Sequence, residues 1–256
     1  MSKKYFITSD VHSFFDEMMV ALNEKGFDKD NSDHYLVVCG DLFDRGSQTV
    51  QLFEFVKSLG DRFIYVKGNH EDMLEDCVME IYKGRIPGSH HFHNGTVKTI
   101  CHFCGQGEWI MHDPTWRDKI YAIMKPILDW INEKSVNYYE VGDYVFVHGW
   151  IPCYQGLDDF RDATERDWAD ARWANGMAMW KNPACRVDGR TVVCGHWHCS
   201  YGWSRIDNKY KEFPNPTHYD FQLSFQPWAK EGIIAIDACC AYSGKLNCIV
   251  IEEDEQ

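Results

Sequence analysis

Three short clusters early in the chain, Ser9-Asp10-Val11-His12, Gly40-Asp41-Leu42-Phe43-Asp44-Arg45-Gly46 and Gly68-Asn69-His70-Glu71, place carboxylate, imidazole and amide side chains at regular intervals. Asp41 lies 29 residues after His12 and Asn69 lies 28 residues after Asp41, a spacing that suits one strand-helix-strand unit apiece. Two more histidine steps follow, His148-Gly149 and Gly195-His196-Trp197-His198. Oxygen and imidazole donors without thiolate suit manganese, iron or zinc. Five such steps point to a metal site built at strand ends, because as scattered core polar groups they would be buried without a charge partner.

Residues 5–8, 35–39 and 63–66 are continuous β-branched and aromatic runs, the pattern of strands covered on both faces. Between them, residues 14–25 and 49–59 carry apolar side chains at intervals of three and four, as helices do. The sheet is therefore predicted to be parallel. Asp10, His12, Asp41, Asn69 and His70 then fall at the carboxyl ends of its strands, where open α/β sheets bind ligands. The runs 144–147 and 191–195 end in the same way on His148 and His196.

In this order the motifs resemble those of the calcineurin-like metallophosphoesterases, and within them the bacterial and phage serine/threonine protein phosphatase branch. Asp-x-His, Gly-Asp-x-x-Asp-Arg-Gly, Gly-Asn-His-Glu, a His-Gly step and a Gly-His step run from Asp10 to His196. The resemblance implies an α/β fold, a four-layer αββα sandwich of two mixed β-sheets. It implies two divalent cations, manganese foremost, with iron or zinc as alternatives. Asp10, His12 and Asp41 would hold the first, and Asp41 would bridge to a second completed by Asn69, His148 and His196. The implied reaction is hydrolysis of a phosphate monoester, foremost phosphoserine or phosphothreonine protein, by hydroxide held between the metals. Diesters or dinucleoside polyphosphates are the alternative substrates, and a catalytically silent module that binds a phosphorylated ligand is the alternative role.

The same resemblance makes His70 the acid that protonates the leaving oxygen, oriented by Asp44. An imidazolium near neutral pH is a good donor for that step. The planar fork of Arg45 suits two phosphoryl oxygens at once. A second arginine is expected in the stretch Trp-Ala-Asp-Ala-Arg-Trp-Ala-Asn-Gly at 168–176, which makes Arg172 the candidate, with Arg161, Arg166, Arg186 and Arg190 as alternatives. Two departures from the pattern carry expectations. Ser9 and Ser13 stand where protein phosphatases commonly have glycine, so a looser first turn is expected, with Ser13 capping the next helix. His198 stands where a proline is common. Broader members of the family use such a histidine on the first metal, so His198 is a candidate ligand, the alternative being a plain strand-end histidine.

At 256 residues and 45% hydrophobic content, the chain has material for one domain spanning 1–256. Within it, residues 72–137 read as a mainly helical insertion beside the site. Helical stretches 72–82 and 116–132 flank a polar loop at 84–107 that carries His90, His91 and His93. The β-rich runs 233–236 and 246–251, joined by a turn with Gly244, predict a hairpin. Eleven scattered cysteines suggest reduced thiols and a cytoplasmic location. A formal net charge of −13 lacks the phosphate-neutralising contribution that nucleic-acid binding needs, so a phosphorylated protein or small phosphoester is the expected partner and nucleic acid is not. No apolar run reaches the ~18 residues of a membrane span.

Overall fold

Two five-stranded mixed sheets pack face to face in the computed structural model, which describes residues 3–154 and 156–253. In chain order the strands are β1 (Lys3–Thr8), β2 (His34–Cys39), β3 (Phe63–Val66), β4 (Ser135–Val136), β5 (Tyr139–Val141), β6 (Tyr144–Phe146), β7 (Thr191–Cys194), β8 (Trp228–Lys230), β9 (Ile233–Ala235) and β10 (Ile249–Glu253). The first sheet has the order β10-β1-β2-β3-β4, parallel except for β10. The second has the order β5-β6-β7-β9-β8, parallel through β6, β7 and β9 with antiparallel edges.

Alternation along each strand divides the side chains between two layers of core. Ile7, Val37, Cys39 and Val66 of the first sheet meet Val141, Phe146, Val193 and Ile236 in the seam between the sheets. On the outer face, Phe6, Leu36, Val38 and Tyr65 pack under α1 (Phe15–Glu24), α2 (Thr49–Ser58), α3 (Asn69–Tyr82) and further helices described below. The outer face of the second sheet, with Val145, Val192 and Ala235, is covered by Trp168, Ala171 and Met177. The result is the expected four-layer sandwich. Among the described residues, no helix is long and apolar enough to cross a membrane, and all eleven cysteines are free.

Two local expectations fail. The segment 84–107 is not a polar loop: it contains α4 (Ser89–Asn94) and α5 (Thr96–Cys104), followed by α6 (Arg117–Lys134). Gly95 at φ +91° and Gly105 at φ +61° end these short helices in the left-handed conformation, and His91 is buried. With so few turns each, the apolar period is drowned by histidine and glycine. The predicted hairpin is also absent. β9 lies beside β7 in the second sheet, whereas β10 crosses the seam to pair antiparallel with β1, Ile7 opposite Ile249. Partner choice between two sheets is a tertiary decision that a local turn signal does not carry.

Because Ile7 is fully buried in the seam, three residues before the first candidate ligand, Ile7→Ala is expected to cost about 2–5 kcal/mol by leaving a cavity. Urea unfolding should show a lower midpoint with the slope retained, and a loss under about 1 kcal/mol would contradict this seam packing.

Candidate metal centre

The carboxyl ends of β1, β2 and β3 meet those of β6 and β7 across the seam, and the turns that leave them are laced together by backbone bonds. The Asp10 N–H donates to the Gly40 carbonyl at 3.1 Å, His12 N–H to Asp41 at 2.9 Å, and Ser13 N–H to Leu42 at 2.9 Å. These turns are strained. Asp10, His12, Ser13, Asp41, Asp44, Arg45, His196 and Cys239 all have φ between 48° and 79°, leaving only Asn208 elsewhere among the described non-glycine residues with positive φ. Each such residue costs on the order of 1–3 kcal/mol and persists only where its surroundings over-determine it. Ser13, at φ +60°, takes the same turn a glycine would, so the first turn is no looser. Its hydroxyl meets Thr49 Oγ1 at 3.0 Å and does not cap α1. Gly40 is required for a different reason, since a Cβ there would lie 2.3 Å from His148 Nδ1.

Asp41 stands at the middle of the site, buried, with one set of donors on each side. His12 Nε2 lies 3.6 Å and His70 Nε2 3.8 Å from its Oδ2, while His148 Nε2 lies 3.3 Å from its Oδ1. His12, Asp41 and His70 form one cluster close enough for a metal ion, and Asp41, His148 and His196 form another. The imidazoles are locked in orientation. His12 Nδ1 donates to the Phe43 carbonyl at 2.8 Å and His148 Nδ1 to the Cys39 carbonyl at 2.9 Å, which turns both Nε2 lone pairs inward. His148 Nε2 then faces Asn69 Oδ1 at 2.8 Å as well as Asp41 Oδ1. Three lone-pair atoms with no proton between them need a cation. Asp10 links the two halves, its Oδ2 accepting from the His196 N–H at 2.9 Å.

The electrostatics make the same demand. Burial, and then the charge of Asp41, push the Asp10 carboxyl up to about 8. Burial also opposes ionisation of Asp41, but His148, His70, His12 and His196 outweigh it and hold the carboxyl far below the usual range. Burial and the neighbouring imidazole of His148 bring His196 down to about 3, and burial with His70 and Arg45 keeps His12 well below its ordinary value. Neutral imidazoles and close-packed carboxylates are the ligand state that divalent cations bind. The donor set fits manganese, iron or zinc.

His70 follows the candidate ligand Asn69 at the start of α3, and its Nδ1 meets Asp44 Oδ2 at 2.6 Å. Burial alone would depress it, but the charge of Asp41 and the bond to Asp44 raise it to about 9. Asp44 is held in turn by α5. Thr96 Oγ1 donates to its Oδ2 at 2.9 Å, Thr99 Oγ1 donates to its Oδ1 at 2.7 Å, and the Asp44 N–H donates back to Thr99 at 3.0 Å. Arg45 is exposed, with a guanidinium nitrogen 3.5 Å from His70 Nε2. Asp10, His12, Asp41, Arg45, Asn69, His70 and His196 share the wall of a cavity of about 110 Å³ with Asn94, Trp173, Asp237 and Cys239.

Residues 3–224 match the sequence profile of the calcineurin-like phosphoesterases. The chain belongs to that family. Among curated phosphoesterases, the symmetrical bis(5'-nucleosyl)-tetraphosphatase of Buchnera aphidicola subsp. Baizongia pistaciae is 45% identical over 67 residues, 26% of this chain and 23% of that protein. The asymmetrical enzyme PrpE of Bacillus velezensis is 38% identical over 78 residues, 27% of this chain and 31% of that one. The chain thus spans about a quarter of the length of the curated relatives it matches. A protein serine/threonine phosphatase from Saccharomyces cerevisiae has a similar fold, with a TM-score of 0.51 and 13% identity, covering 99% of this chain and 80% of that one. So does a crystal structure described as a candidate diadenosine tetraphosphatase, with a TM-score of 0.51 and 15% identity, covering 99% of this chain and 95% of that one.

Two residues expected at this phosphoesterase site stand elsewhere. Arg172 is 3% exposed, outside the cavity wall, with its guanidinium taken by Asp72 at 2.8 Å, Glu165 at 2.5 Å and Asn137. In this arrangement its guanidinium joins α3 to the segment that follows Thr164. His198 is not part of the cavity wall or of either candidate metal cluster, and has its Nδ1 on Ser200 Oγ at 2.6 Å and its ring against Phe213. Asp237, at the end of β9, receives the Cys239 N–H at 2.6 Å and so caps its turn. Three contributors carried no interpreted sequence signal: Thr96, Thr99, and Glu71, whose carboxylate accepts the N–H groups of Asp41, Leu42 and Gly68 at 3.1, 2.9 and 2.7 Å. Glu71 ends its motif as an acidic residue among several, and Thr96 and Thr99 lie in a helix too short to show a period.

Since Thr99 both accepts from and donates to Asp44, Thr99→Val is expected to lower turnover several-fold with bound metal and KM near wild type, and Thr99→Ser to restore it. Steady-state kinetics beside metal analysis measures this, and a Val variant as fast as wild type would remove Thr99 from the argument.

Proposed function

We propose that this phosphoesterase is a metal-dependent hydrolase that cleaves a P–O bond of a small phosphate ester, with His70 protonating the leaving oxygen. The observation that carries the reading is the bond from His70 Nδ1 to a buried Asp44, which leaves His70 Nε2 in the cavity wall beside Arg45 and Asp41. A module that only bound phosphate would have no use for an acid so supported. Asp10, His12, Asp41, Asn69, His148 and His196 would hold two divalent cations, manganese foremost. When bound, such ions polarise water and neutralise phosphoryl charge.

The chain's own residues do the rest. His12 and His148 keep their protons on backbone carbonyls, so neither competes with His70 as a donor. Arg45, whose only side-chain contact described is the 3.5 Å approach to His70, is free to take phosphoryl oxygens in its fork. Asp44 stabilises the charged imidazole before transfer and orients the ring throughout. A cavity of about 110 Å³ takes a phosphoryl group and leaves the remainder of the substrate at its rim.

Two substrate classes are supported by separate observations. The names of the curated relatives favour dinucleoside polyphosphates. The Gly-Asp-x-x-Asp-Arg-Gly and Gly-Asn-His-Glu motifs favour phosphoserine or phosphothreonine protein, although the second arginine expected for that class is engaged elsewhere. A side-by-side assay of diadenosine tetraphosphate, a phosphoserine peptide, p-nitrophenyl phosphate and its bis ester with manganese separates them.

His70→Asn is expected to lower turnover on the best of these about 10²-fold or more with metal content as in wild type, the scale of a lost general acid. Metal-loaded wild-type protein that hydrolyses none of the four would overturn the reading in favour of a binding module.

A further inference from the structure

We propose that Trp173 is the subsite for a planar ring carried by the substrate, a nucleobase or a phenyl group joined to the phosphoryl group held at the metal centre. This rests on the hydrolase reading above and adds the substrate class to it.

The indole is 54% exposed and forms part of the wall of the catalytic cavity, together with Arg45 and Asn94. Its ring and that of His196 stand perpendicular, with centroids 5.8 Å apart and planes at 85°, and this contact leaves about half of the residue's surface open to solvent. A single exposed aromatic is ordinary on a protein surface, and exposure alone would decide nothing. What distinguishes Trp173 is how firmly its backbone is held. Its N–H donates to the Asp170 carbonyl at 3.2 Å. The adjoining Ala171 carbonyl accepts from Trp150 N–H at 3.1 Å. Gly149, next to His148, packs so closely on this segment that a Cβ there would lie 2.4 Å from the Ala171 carbonyl and 2.6 Å from that of Arg172.

The buried Arg172 completes the clamp. Its guanidinium joins Asp72 of α3 to Glu165 of α7 (Glu165–Ala171), one residue before the indole. The stretch expected to grip phosphate through arginine carries an exposed indole beside the metal-ligand candidate His196. Rigid aromatic surface at the mouth of a polar cavity recognises flat π-systems, because ordering it on binding costs little and any ring offers a face to stack. An aliphatic phosphoester such as glycerol 2-phosphate or phosphoserine offers no such face.

The test compares wild type, Trp173→Ala and Trp173→Phe, loaded with manganese, on diadenosine tetraphosphate, phenyl phosphate and glycerol 2-phosphate. In Trp173→Ala the preference for the ring-bearing esters over glycerol 2-phosphate, taken as a ratio of kcat/KM, is expected to fall about tenfold through KM, the scale of one stacked base lost to alanine. Trp173→Phe should keep most of the preference. Loss for diadenosine tetraphosphate alone assigns the subsite to a nucleobase, and loss for phenyl phosphate alone assigns it to a phenolic ring. A readout without turnover uses the zinc-loaded protein, whose ion is diamagnetic: ring protons of AMP and phenyl phosphate should move upfield with wild type and much less with Trp173→Ala. If wild type hydrolyses none of the esters, the hydrolase reading fails while the ring-proton shift still decides the subsite. An equal fall on all three esters in Trp173→Ala, or no ring-proton shift with wild type, would overturn the proposal.

Discussion

A buried carboxylate shared between two groups of imidazoles is the constraint on which this structure turns. Asp41 is withdrawn from water beside a second buried carboxylate, Asp10, and the two repel each other where little solvent can screen them. His12 and His70 approach one oxygen of Asp41 and His148 approaches the other, each presenting nitrogen to an anion. Such an arrangement is costly to hold empty and well matched to cations. The fold has to bring its parts together from distant stretches of chain, and that requirement explains the sandwich: His12 and His70 come from the first sheet, His148 and His196 from the second.

The backbone is bent to serve the same end. Eight non-glycine residues at or beside the centre hold left-handed φ values, and the bonds that secure them run between the turns of neighbouring strands. Glu71 contributes without facing the centre, since its carboxylate gathers three backbone N–H groups of the second and third motifs and fixes the Asp41 turn against α3. Gly40 and Gly68 sit where any side chain would strike His148 or Asp41. Gly40 therefore follows from the close approach of the two sheets, and Gly68 from the close approach of neighbouring turns in the first. α5 adds the outermost support, its two threonines holding the carboxylate that holds His70.

How much of this was legible in the chain depended on how local each decision is. β1, β2 and β3 and the helices α1 and α2 lie within two residues of their expected ends, because continuous apolar runs and short connections leave few alternatives. The candidate ligands Asp10, His12, Asp41, Asn69, His148 and His196 are gathered at one place because each stands two to four residues beyond the end of a strand, and strand ends converge. Arg172 and His198 were not resolved by spacing, since each could serve the centre or a neighbour and only the tertiary partners Asp72, Glu165 and Ser200 decide. The return of β10 to the first sheet is likewise invisible to a local turn signal, and α4 and α5 are too short and histidine-rich to show a period.

Anomalous X-ray scattering from crystals grown with manganese tests the central claim most directly, since it counts the ions and identifies the atoms around them. Two ions are expected, both in contact with the Asp41 carboxylate, one shared with His12 and the other with His148 and His196. A single ion, or a pair that leaves Asp41 untouched, would contradict it.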